Sequence, residues 1–359
     1  MQKVRVEILD LLRFTAAAAV LMFHFTFRGY AADDMSNLAF PILGDWFKYG
    51  YLGVDLFFII SGFVIAFSAE NRSATQFLSA RASRIYPAFV LCASITALTA
   101  YFIGTSQYAV SLNQYLANLL IAAPVFGQSF VDGAYWSIMI ELVFYGWMFM
   151  LILLNQMPRI REIMMGWLAI AMLNQFALHS SILEILFVTQ YAGHFILGIL
   201  SYLVYRDRAD KSDYMMIAAA FVFSLATAFK DSAEIGLYYQ TLLSPLVIGA
   251  WITAFTVFFV LLKYVPAPRL PSRAYMVIGA ITYPLYLLHQ NIGFMLINQL
   301  EGSMNRYMVL GTVITMIVML AYLVWRFLER PLALGMRNGL NVLFARLPFR
   351  FLQRPAQEM

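Results

Sequence analysis

The feature that most constrains this chain is a repeated run of about twenty apolar residues. A run of that length matches the hydrocarbon thickness of a lipid bilayer. Counting the runs predicts ten membrane-spanning helices, at 8–28, 50–69, 86–105, 135–154, 164–179, 185–204, 214–229, 241–262, 275–297 and 307–328. Charged residues make up only 12% of the chain, about half the share of a typical soluble domain. The sequence therefore predicts an all-α, polytopic helical bundle in a membrane and excludes a soluble domain.

The basic residues are distributed unevenly between the two sides of these predicted spans. Eighteen of them fall on the side that carries both termini, whereas the opposite side carries four: Arg28, Lys48, Lys230 and Arg306. By the positive-inside rule, both termini are predicted to be cytoplasmic. Because the net charge of +5 follows topology and forms no single patch, it predicts no nucleic-acid partner. We predict one membrane domain over residues 1–335 and a basic cytoplasmic tail over 336–359.

The first predicted span carries three ionisable residues, Asp10, Arg13 and His24. Arg13 and His24 are eleven residues apart, or about three helical turns, which places them on one face at an axial separation of about 16 Å. An arginine in hydrocarbon costs several kcal/mol unless it is paired or faces a wet cavity. Two interpretations stay open here: a structural Asp10–Arg13 ion pair with a packed histidine, or a functional site.

Two carboxylates and a second histidine lie at a similar predicted depth. Asp55 is near the start of span two, Glu141 lies about 1.5 turns below the interfacial Trp136 in span four, and His289 is in the outer half of span nine. An ionisable residue in a span is a candidate functional residue, although Asp55 can also be a carboxylate that reaches interfacial water. The spans between 164 and 262 carry little chemistry of this kind.

A further pair, Arg81 and Arg84, precedes span three on the predicted cytoplasmic side. If this stretch is helical, the two guanidinium groups lie one turn apart on one face, an arrangement that binds phosphates. The spacing alone favours a positive anchor at the membrane surface. At the other end of the chain, Pro331 is predicted to end the last span.

Taken in order, these fragments resemble the bacterial acyltransferase-3 family of integral-membrane O-acyltransferases. The matching fragments are Leu9-Asp10 with Arg13, the spacing from Arg13 to His24, Gly53–Ile65, Arg81 and Arg84 followed by Ile85-Tyr86-Pro87, Trp136-Ser137 with Glu141 and Phe144-Tyr145, Leu285-Tyr286-Leu287-Leu288-His289, and Glu329-Arg330-Pro331. Leu11 stands where the family often has glycine, and Leu142-Val143 where polar residues often follow the glutamate.

The resemblance implies transfer of an acyl group, commonly acetyl from acetyl-CoA, to a hydroxyl of a cell-surface glycan or its lipid-linked precursor. It implies a multi-pass protein of the bacterial inner membrane, with acyl-CoA as co-substrate and with no permanently bound cofactor and no metal. The oligomeric state stays open. The residues implied as catalytic are His24, Arg13, Asp55 and Glu141. Those implied in substrate binding are Asp10, Arg81, Arg84, Trp136, Tyr286 and His289.

The chemistry of the residues is compatible with that activity. A sugar hydroxyl is a poor nucleophile until a base removes its proton, and histidine has a suitable pKa. We predict that His24 is this base, oriented or charged by Asp55 or Glu141. The alternative is a proton-coupled secondary transporter or flippase in which Asp55, Glu141, His24 and His289 relay protons. Many transporters contain internal repeats, and we find none in this sequence.

Overall fold

The computed structural model describes residues 6–31, 34–70 and 72–346 of the 359 in the chain. These residues are mostly helical and contain no β-strand, which confirms the predicted all-α fold. The α-helices are α1 (Ile8–Phe23), α2 (Gly29–Ala31), α3 (Pro41–Phe47), α4 (Gly53–Ala69), α5 (Ala74–Ile103), α6 (Leu112–Asn118), α7 (Trp136–Leu153), α8 (Ile160–Leu173), α9 (Ser181–Phe187), α10 (Ala192–Tyr205), α11 (Lys211–Tyr238), α12 (Pro245–Val260), α13 (Ser272–Leu288), α14 (Gln290–Leu300), α15 (Arg306–Leu323) and α16 (Arg330–Arg346).

Seven helical segments within the described ranges are long and apolar enough to cross a membrane. They are Ile8–Ala31, Pro41–Ala69, Ala74–Ile103, Gly133–Leu153, Ser181–Tyr205, Lys211–Tyr238 and Arg306–Arg346. The other three predicted spans correspond to shorter or interrupted helices: α8, α12, and the pair formed by α13 and α14. The chain is thus a multi-pass membrane protein. The count of ten spans and the cytoplasmic termini stay predictions, and Lys3 and Arg5 lie outside the described residues.

Within the described ranges, three π-helices continue α-helices. They are His24–Arg28 after α1, Asn174–Leu178 after α8 and Val324–Glu329 after α15. A π turn widens the helix by one residue and is common at functional sites. Each therefore changes the direction of the side chains that follow it.

The described residues cluster into two compact units, each assembled from three chain segments. Unit 1 comprises the N-terminal segment to Gly53, Ser83–Met139 and Ala267–Met336. Within it α1 packs against α13, and α13 and α14 both pack against α15. Apolar side chains such as Val20, Phe25 and Phe294 are buried between these helices and form its core.

Unit 2 comprises Val54–Ala82, Ile140–Pro266 and the part of the chain from Arg337. Here α10 packs against α8, α11 and α12. Helix α10 also touches α4 at two glycines. A Cβ at Gly62 would lie 2.2 Å from the carbonyl oxygen of Phe195, and a Cβ at Gly198 would lie 2.1 Å from the carbonyl oxygen of Ile59. Small residues let membrane helices approach at backbone distance. Positions 62 and 198 therefore cannot accept a side chain without moving α4 or α10.

The predicted stop at Pro331 is wrong, because α16 begins at Arg330 and continues to Arg346. The helical segment Arg306–Arg346 passes through Pro331 without interruption, with the π-helix Val324–Glu329 directly before it. This helix runs across the boundary predicted between residues 335 and 336, and residues 347–359, with Arg350 and Arg354, lie outside the described residues. The division into a membrane domain and a tail stays a prediction.

Candidate functional site

His24 is buried at the junction where α1 becomes a π-helix. The turn after it is held against α14 by two close contacts. A Cβ at Gly293 would lie 2.2 Å from the ring of Phe25, and one at Gly29 would lie 2.5 Å from the ring of Phe294. These ring-on-glycine contacts fix the π-helix relative to α14. They thereby fix His24 relative to His289, which lies between α13 and α14.

His24 and His289 form a hydrogen-bonded pair. Nδ1 of His24 lies 3.0 Å from Nε2 of His289 and 2.8 Å from the carbonyl oxygen of Val20. Nδ1 of His289 lies 2.7 Å from the carbonyl oxygen of Tyr286. A carbonyl oxygen only accepts, so Nδ1 of His289 carries a proton and, in the neutral ring, Nε2 is the acceptor. Nδ1 of His24 therefore carries a proton, which it shares between Nε2 of His289 and the carbonyl oxygen of Val20.

Arg28 completes this arrangement one turn after His24. Its Nη1 lies 3.3 Å from Nε2 of His24 and 3.5 Å from Oε1 of Gln290. A guanidinium only donates, so Nε2 of His24 is the acceptor, in agreement with the proton on Nδ1. The lone pair of the histidine pair is thus on Nε2 of His24, where it faces the guanidinium of Arg28. Sequence analysis had placed Arg28 among the loop cations.

Asp132 fixes the residues that follow His289. Its carboxylate is fully buried and accepts the backbone NH groups of Ala134 and Asn291, both at 2.9 Å. An acidic group at a helix N-terminus is stabilised by the free NH groups of the first turn. Burial raises the pKa of Asp132 to about 6, although the two backbone hydrogen bonds and the charge of Arg28 act in the opposite direction. Sequence analysis did not identify this residue.

Tyr286 and Trp136 lie near the same end of unit 1. The Tyr286 hydroxyl is 2.7 Å from the hydroxyl of Ser137 and 3.3 Å from the carbonyl oxygen of Ala134. Trp136 begins α7 and is half-buried. Since the carbonyl of Tyr286 holds His289, this tyrosine joins the start of α7 to the histidine pair. Either role implied by the resemblance, substrate contact or support of His289, is compatible with that position.

Asp10 and Arg13 make the predicted ion pair, with Nη1 and Oδ1 at 3.4 Å. Asp10 is buried against α13, where a Cβ at Gly279 would lie 2.3 Å from its Oδ1. Arg13 and His24 lie on the same helix, and α1 stays α-helical from Ile8 to Phe23. The structure thus brings Asp10 together with Arg13 near one end of α1 and places His24 at the other end.

Asp55 belongs to unit 2, where its neighbour is His194. The Oδ1 of Asp55 lies 3.7 Å from Nε2 of His194, which is too long for a hydrogen bond. His194 is buried, and among the described residues neither of its ring nitrogens has a hydrogen-bond partner. Both side chains belong to the first turns of their helices, α4 and α10, which the Gly62–Gly198 contact holds together. Sequence analysis assigned His194 no role.

Glu141 also belongs to unit 2 and sits in a hydroxyl network. It accepts hydrogen bonds from the hydroxyl of Ser61 at 2.8 Å and from the hydroxyl of Tyr145. The Arg81 guanidinium lies over the rings of Tyr145 and Phe77, at 5.8 Å and 5.9 Å from their centroids. Tyr145 therefore links a carboxylate in α7 to the first arginine of the Arg81–Arg84 pair.

The second arginine of that pair has a different setting. Arg84 is exposed, belongs to unit 1 and interacts electrostatically with Glu329 at the end of the last π-helix. One Glu329 carboxylate oxygen is buried without a hydrogen-bond partner among the described residues. The two arginines thus share the helix α5 but contact different groups. No cluster of His, Cys, Asp or Glu within the described ranges has the arrangement of a metal site.

The fold is that of a multi-pass helical membrane protein, and ionisable side chains are buried between its helices. A sequence profile described as an acyltransferase domain, that of the acyltransferase-3 family, matches residues 6–324. The chain belongs to the acyltransferase-3 family, as its motifs predicted. It is accordingly a membrane acyltransferase that transfers groups other than aminoacyl groups, and this favours the enzyme over the transporter or flippase.

Curated relatives agree with this membership. The chain is 25% identical over 331 residues to BcsY of Komagataeibacter xylinus, a protein named as a membrane-bound transacylase, with 83% of this chain and 81% of the relative covered. It is 32% identical over 110 residues to the exopolysaccharide production protein ExoZ of Rhizobium meliloti, covering 28% of this chain and 34% of the relative. It is 29% identical over 158 residues to nodulation protein 10 of Rhizobium leguminosarum bv. viciae, covering 38% and 41%. No solved structure matches the chain significantly.

Proposed function

We propose that this acyltransferase moves an acyl group, commonly acetyl, from acyl-CoA to a hydroxyl of a surface polysaccharide or of its lipid-linked precursor. The name of the relative ExoZ supports a glycan acceptor. A CoA donor is cytoplasmic, which supports the bacterial inner membrane as the location. His24 is the proposed general base. The observation that carries this assignment is the hydrogen-bond pattern of the histidine pair, which leaves the lone pair on Nε2 of His24.

In the proposed reaction, Nε2 of His24 removes the proton from the acceptor hydroxyl while the hydroxyl oxygen bonds to the thioester carbon. The carbon–sulfur bond then breaks, and the imidazolium of His24 returns the proton to the leaving CoA thiolate. General-base catalysis of this kind contributes typically 100-fold or more. Because Nδ1 of His24 donates to His289, the positive charge that forms on His24 is shared with a second ring. His289 is thus the proposed orienting residue for His24.

Arg28 is proposed to stabilise the oxyanion that forms on the thioester carbonyl. Its Nη1 lies 3.3 Å from Nε2 of His24, so the guanidinium is next to the atom at which the acceptor hydroxyl would react. A donor placed where negative charge develops is often the largest single contribution to acyl transfer. Gln290 would keep the guanidinium close to the histidine pair while the substrate binds.

The remaining predicted residues keep proposed roles. Asp55 and Glu141 are proposed catalytic residues that act through their own neighbours, His194 and Tyr145. Arg81 and Arg84 are proposed to bind the phosphates of acyl-CoA, because guanidinium groups bind phosphate in a bidentate manner. Arg13 and Asp10 are proposed to support the donor from the far end of α1.

The test is transfer of labelled acetyl from acetyl-CoA in membranes of the source bacterium that lack the gene and are complemented with the chain. Ester-linked label, released by mild base from saccharide, is expected with the parent chain. His24→Ala is expected to lose 100-fold or more of the transfer rate at equal protein abundance. His24→Gln, which retains a polar side chain, serves as the control for packing and should be equally inactive. Near-parental labelling in either variant would exclude His24 as the base, and no labelling with the parent chain would exclude the acetyl-CoA donor.

A further inference from the structure

A second polar site lies in unit 2, in a region that sequence analysis judged poor in chemistry. It is a cavity of about 290 Å³ formed by the π-helix after α8, by α9 and by the C-terminal part of α11. At ~30 Å³ for each water, this is about ten water volumes, the size range of one small ligand. Its lining includes a single aliphatic residue, Ile185, and is otherwise polar or charged.

The floor of the cavity is a completed hydrogen-bond network. Glu184 accepts from Gln175 Nε2 at 2.6 Å, from the hydroxyl of Thr189 and from the backbone NH of Gln190 at 3.1 Å. Asn174 donates to the same threonine hydroxyl at 2.8 Å. Each of these groups has used its hydrogen bonds inside the protein, and a fully satisfied network is rigid. The floor is therefore a fixed surface against which a ligand can be placed.

The rim is different, because its charged groups have unused hydrogen-bonding capacity. Lys230 makes one hydrogen bond, to Gln175 Oε1 at 3.2 Å, out of three that an ammonium can donate. Asp231 accepts at one oxygen only, from Gln190 Nε2 at 2.6 Å. Glu234 makes no hydrogen bond within the described part of the chain, and neither does the side chain of His179. The rim thus offers one ammonium donor, Lys230, beside two carboxylate acceptors, Asp231 and Glu234.

The loop between α9 and α10, which contributes Gln190 to the lining, has an unusual backbone conformation. Val188 has a φ of 42°, in the left-handed region that a β-branched residue rarely adopts. The two carbonyls before it accept hydrogen bonds from tryptophan side chains, Leu186 from Trp147 at 2.6 Å and Phe187 from Trp167 at 2.7 Å. These anchors keep the loop between α9 and α10 in place. The cavity is therefore preformed.

The chemistry of the lining excludes most classes of ligand. Three carboxylates, Glu184, Asp231 and Glu234, face a single ammonium, so phosphates, nucleotides and uronic acids would be repelled. An apolar ligand would have only Ile185 to contact. An uncharged sugar ring fits this lining, since each of its hydroxyls both donates and accepts, and carboxylates with an ammonium can pair with neighbouring hydroxyls. The cavity has the size of a sugar unit, is polar and is preformed.

We infer that this cavity binds one uncharged sugar unit through Lys230, Asp231 and Glu234. On the proposed function, that unit belongs to the acceptor glycan, and the site selects the glycan while the histidine pair carries out the transfer. The cavity lies at the ends of α8 and α11 opposite to the Arg161–Asp213 ion pair, whose Nε–Oδ1 distance is 3.0 Å. The charge distribution predicts that the Arg161 end is cytoplasmic. The cavity then opens on the external side, where the resemblance places the glycan.

Binding is tested on the full chain in a zwitterionic detergent without a sugar headgroup. The probes are the methyl glycosides of glucose, galactose, mannose and N-acetylglucosamine, together with the cationic methyl glucosaminide, observed by saturation-transfer NMR and titrated for Kd. We expect transfer to at least one of the uncharged glycosides. The variant with Lys230→Met, Asp231→Asn and Glu234→Gln should bind it roughly tenfold more weakly or not at all, because charge-assisted hydrogen bonds are lost.

Three further variants make the result specific. Glu234→Gln alone should already weaken binding, and it should leave folding intact because Glu234 is exposed. Glu162→Gln, an exposed carboxylate at the opposite end of α8, should bind like the parent. His24→Ala should also bind like the parent while losing transfer, which separates this site from the proposed base.

Several results would overturn the inference. The first is the absence of saturation transfer to every glycoside with the parent chain. The second is unchanged binding in the triple variant. The third is binding of methyl glucosaminide alone, which would show recognition of an ammonium group. A His24→Ala variant that loses binding would assign the sugar to the histidine pair instead. None of these results depends on the acyl donor, so the sugar site can fail while the proposed function stands.

Discussion

The carboxylate of Asp132 accepts the backbone NH of Asn291 and thereby caps α14 from a distant loop, directly after His289. Its other oxygen accepts the NH of Ala134 at the start of the helical turn before α7. One side chain thus ties two chain segments to the histidine pair. Because this carboxylate is buried, the folded protein binds a proton at Asp132 more tightly than the unfolded chain does, which affects stability measurably.

The first prediction concerns pH. Burial raises the pKa of Asp132 to about 6, above its ordinary value of about 3.8. A raised pKa means that the folded protein binds the proton more tightly than the unfolded chain. The contribution to stability is therefore complete below about pH 4 and is lost as the pH rises through about 6. Two pKa units correspond to at most about 3 kcal/mol.

The measurement is the thermal unfolding midpoint in detergent between pH 4 and pH 7.5. Asp132→Asn should remove the part of the pH dependence that lies between about 4 and 6. Asp45→Asn, which changes an exposed carboxylate, should retain the parental profile. Identical profiles for the parent and Asp132→Asn would show that Asp132 does not titrate in this range.

The second prediction concerns His289. If it orients His24 and shares its positive charge, His289→Ala should lower kcat by at least tenfold while changing the KM for the acceptor little. The double variant with His24→Ala should be no worse than His24→Ala alone, since residues that act as one unit have non-additive effects. Steady-state kinetics on the parent, both single variants and the double variant test this. Additive losses would mean that the two rings act independently.

The third prediction concerns the contact between α1 and α13. Gly279→Ala would place a methyl group 2.3 Å from the Asp10 carboxylate, which must then move. Overpacking of this kind typically costs about 1–3 kcal/mol. The thermal midpoint should therefore fall, and it should fall less when Asp10→Ala is present, relative to Asp10→Ala alone.

The matched control for this variant is Gly311→Ala in α15, where a Cβ meets open space. It should leave the midpoint unchanged or raise it slightly, because alanine favours the helix over glycine by about 1 kcal/mol. Equal midpoints for Gly279→Ala and Gly311→Ala would show that α13 moves without cost.

The fourth prediction concerns the donor. Arg84→Ala should raise the KM for acyl-CoA with a smaller effect on the acceptor, and Arg84→Lys should rescue it poorly if the contact is bidentate. Arg81→Ala should also lower kcat, because Arg81 lies over the ring of Tyr145, which donates to Glu141. Arg269→Ala, an exposed arginine, is the control. An unchanged donor KM in both Arg81 and Arg84 variants would make the pair a membrane anchor only.

The sequence predicts the all-α fold because apolar runs report directly on helices in a bilayer. It also identifies His24 and His289 as candidates, since an ionisable residue stands out in an apolar run. It does not identify Arg28, because a basic residue in a predicted loop is common. It does not identify Asp132 either, because Asp132 lies in a predicted loop and not within an apolar run. Their importance depends on contacts with residues far away in the chain, and spacing along one helix cannot reveal such contacts.

The sugar-sized cavity was missed for a related reason. Its floor comes from residues 174–190 and its rim largely from residues 230–234, and neither stretch carries a recognisable motif. The shape of the site arises from a π-helix and a left-handed valine, two backbone features that a hydrophobic pattern does not encode. The partner of Asp55 was missed too, because His194 lies on a helix that is distant in sequence.

The π-helices at His24–Arg28, Asn174–Leu178 and Val324–Glu329 have a consequence for comparing relatives of this protein. Each extra residue rotates the downstream part of the helix by about 100° relative to the upstream part. A relative that lacks the extra residue would keep its hydrophobic stripe but would present a different side chain at the same position. Alignments of this family are therefore best anchored separately on the two sides of each π-helix. A single-residue gap at a π-helix marks a change of site geometry, although it hardly changes the percentage identity.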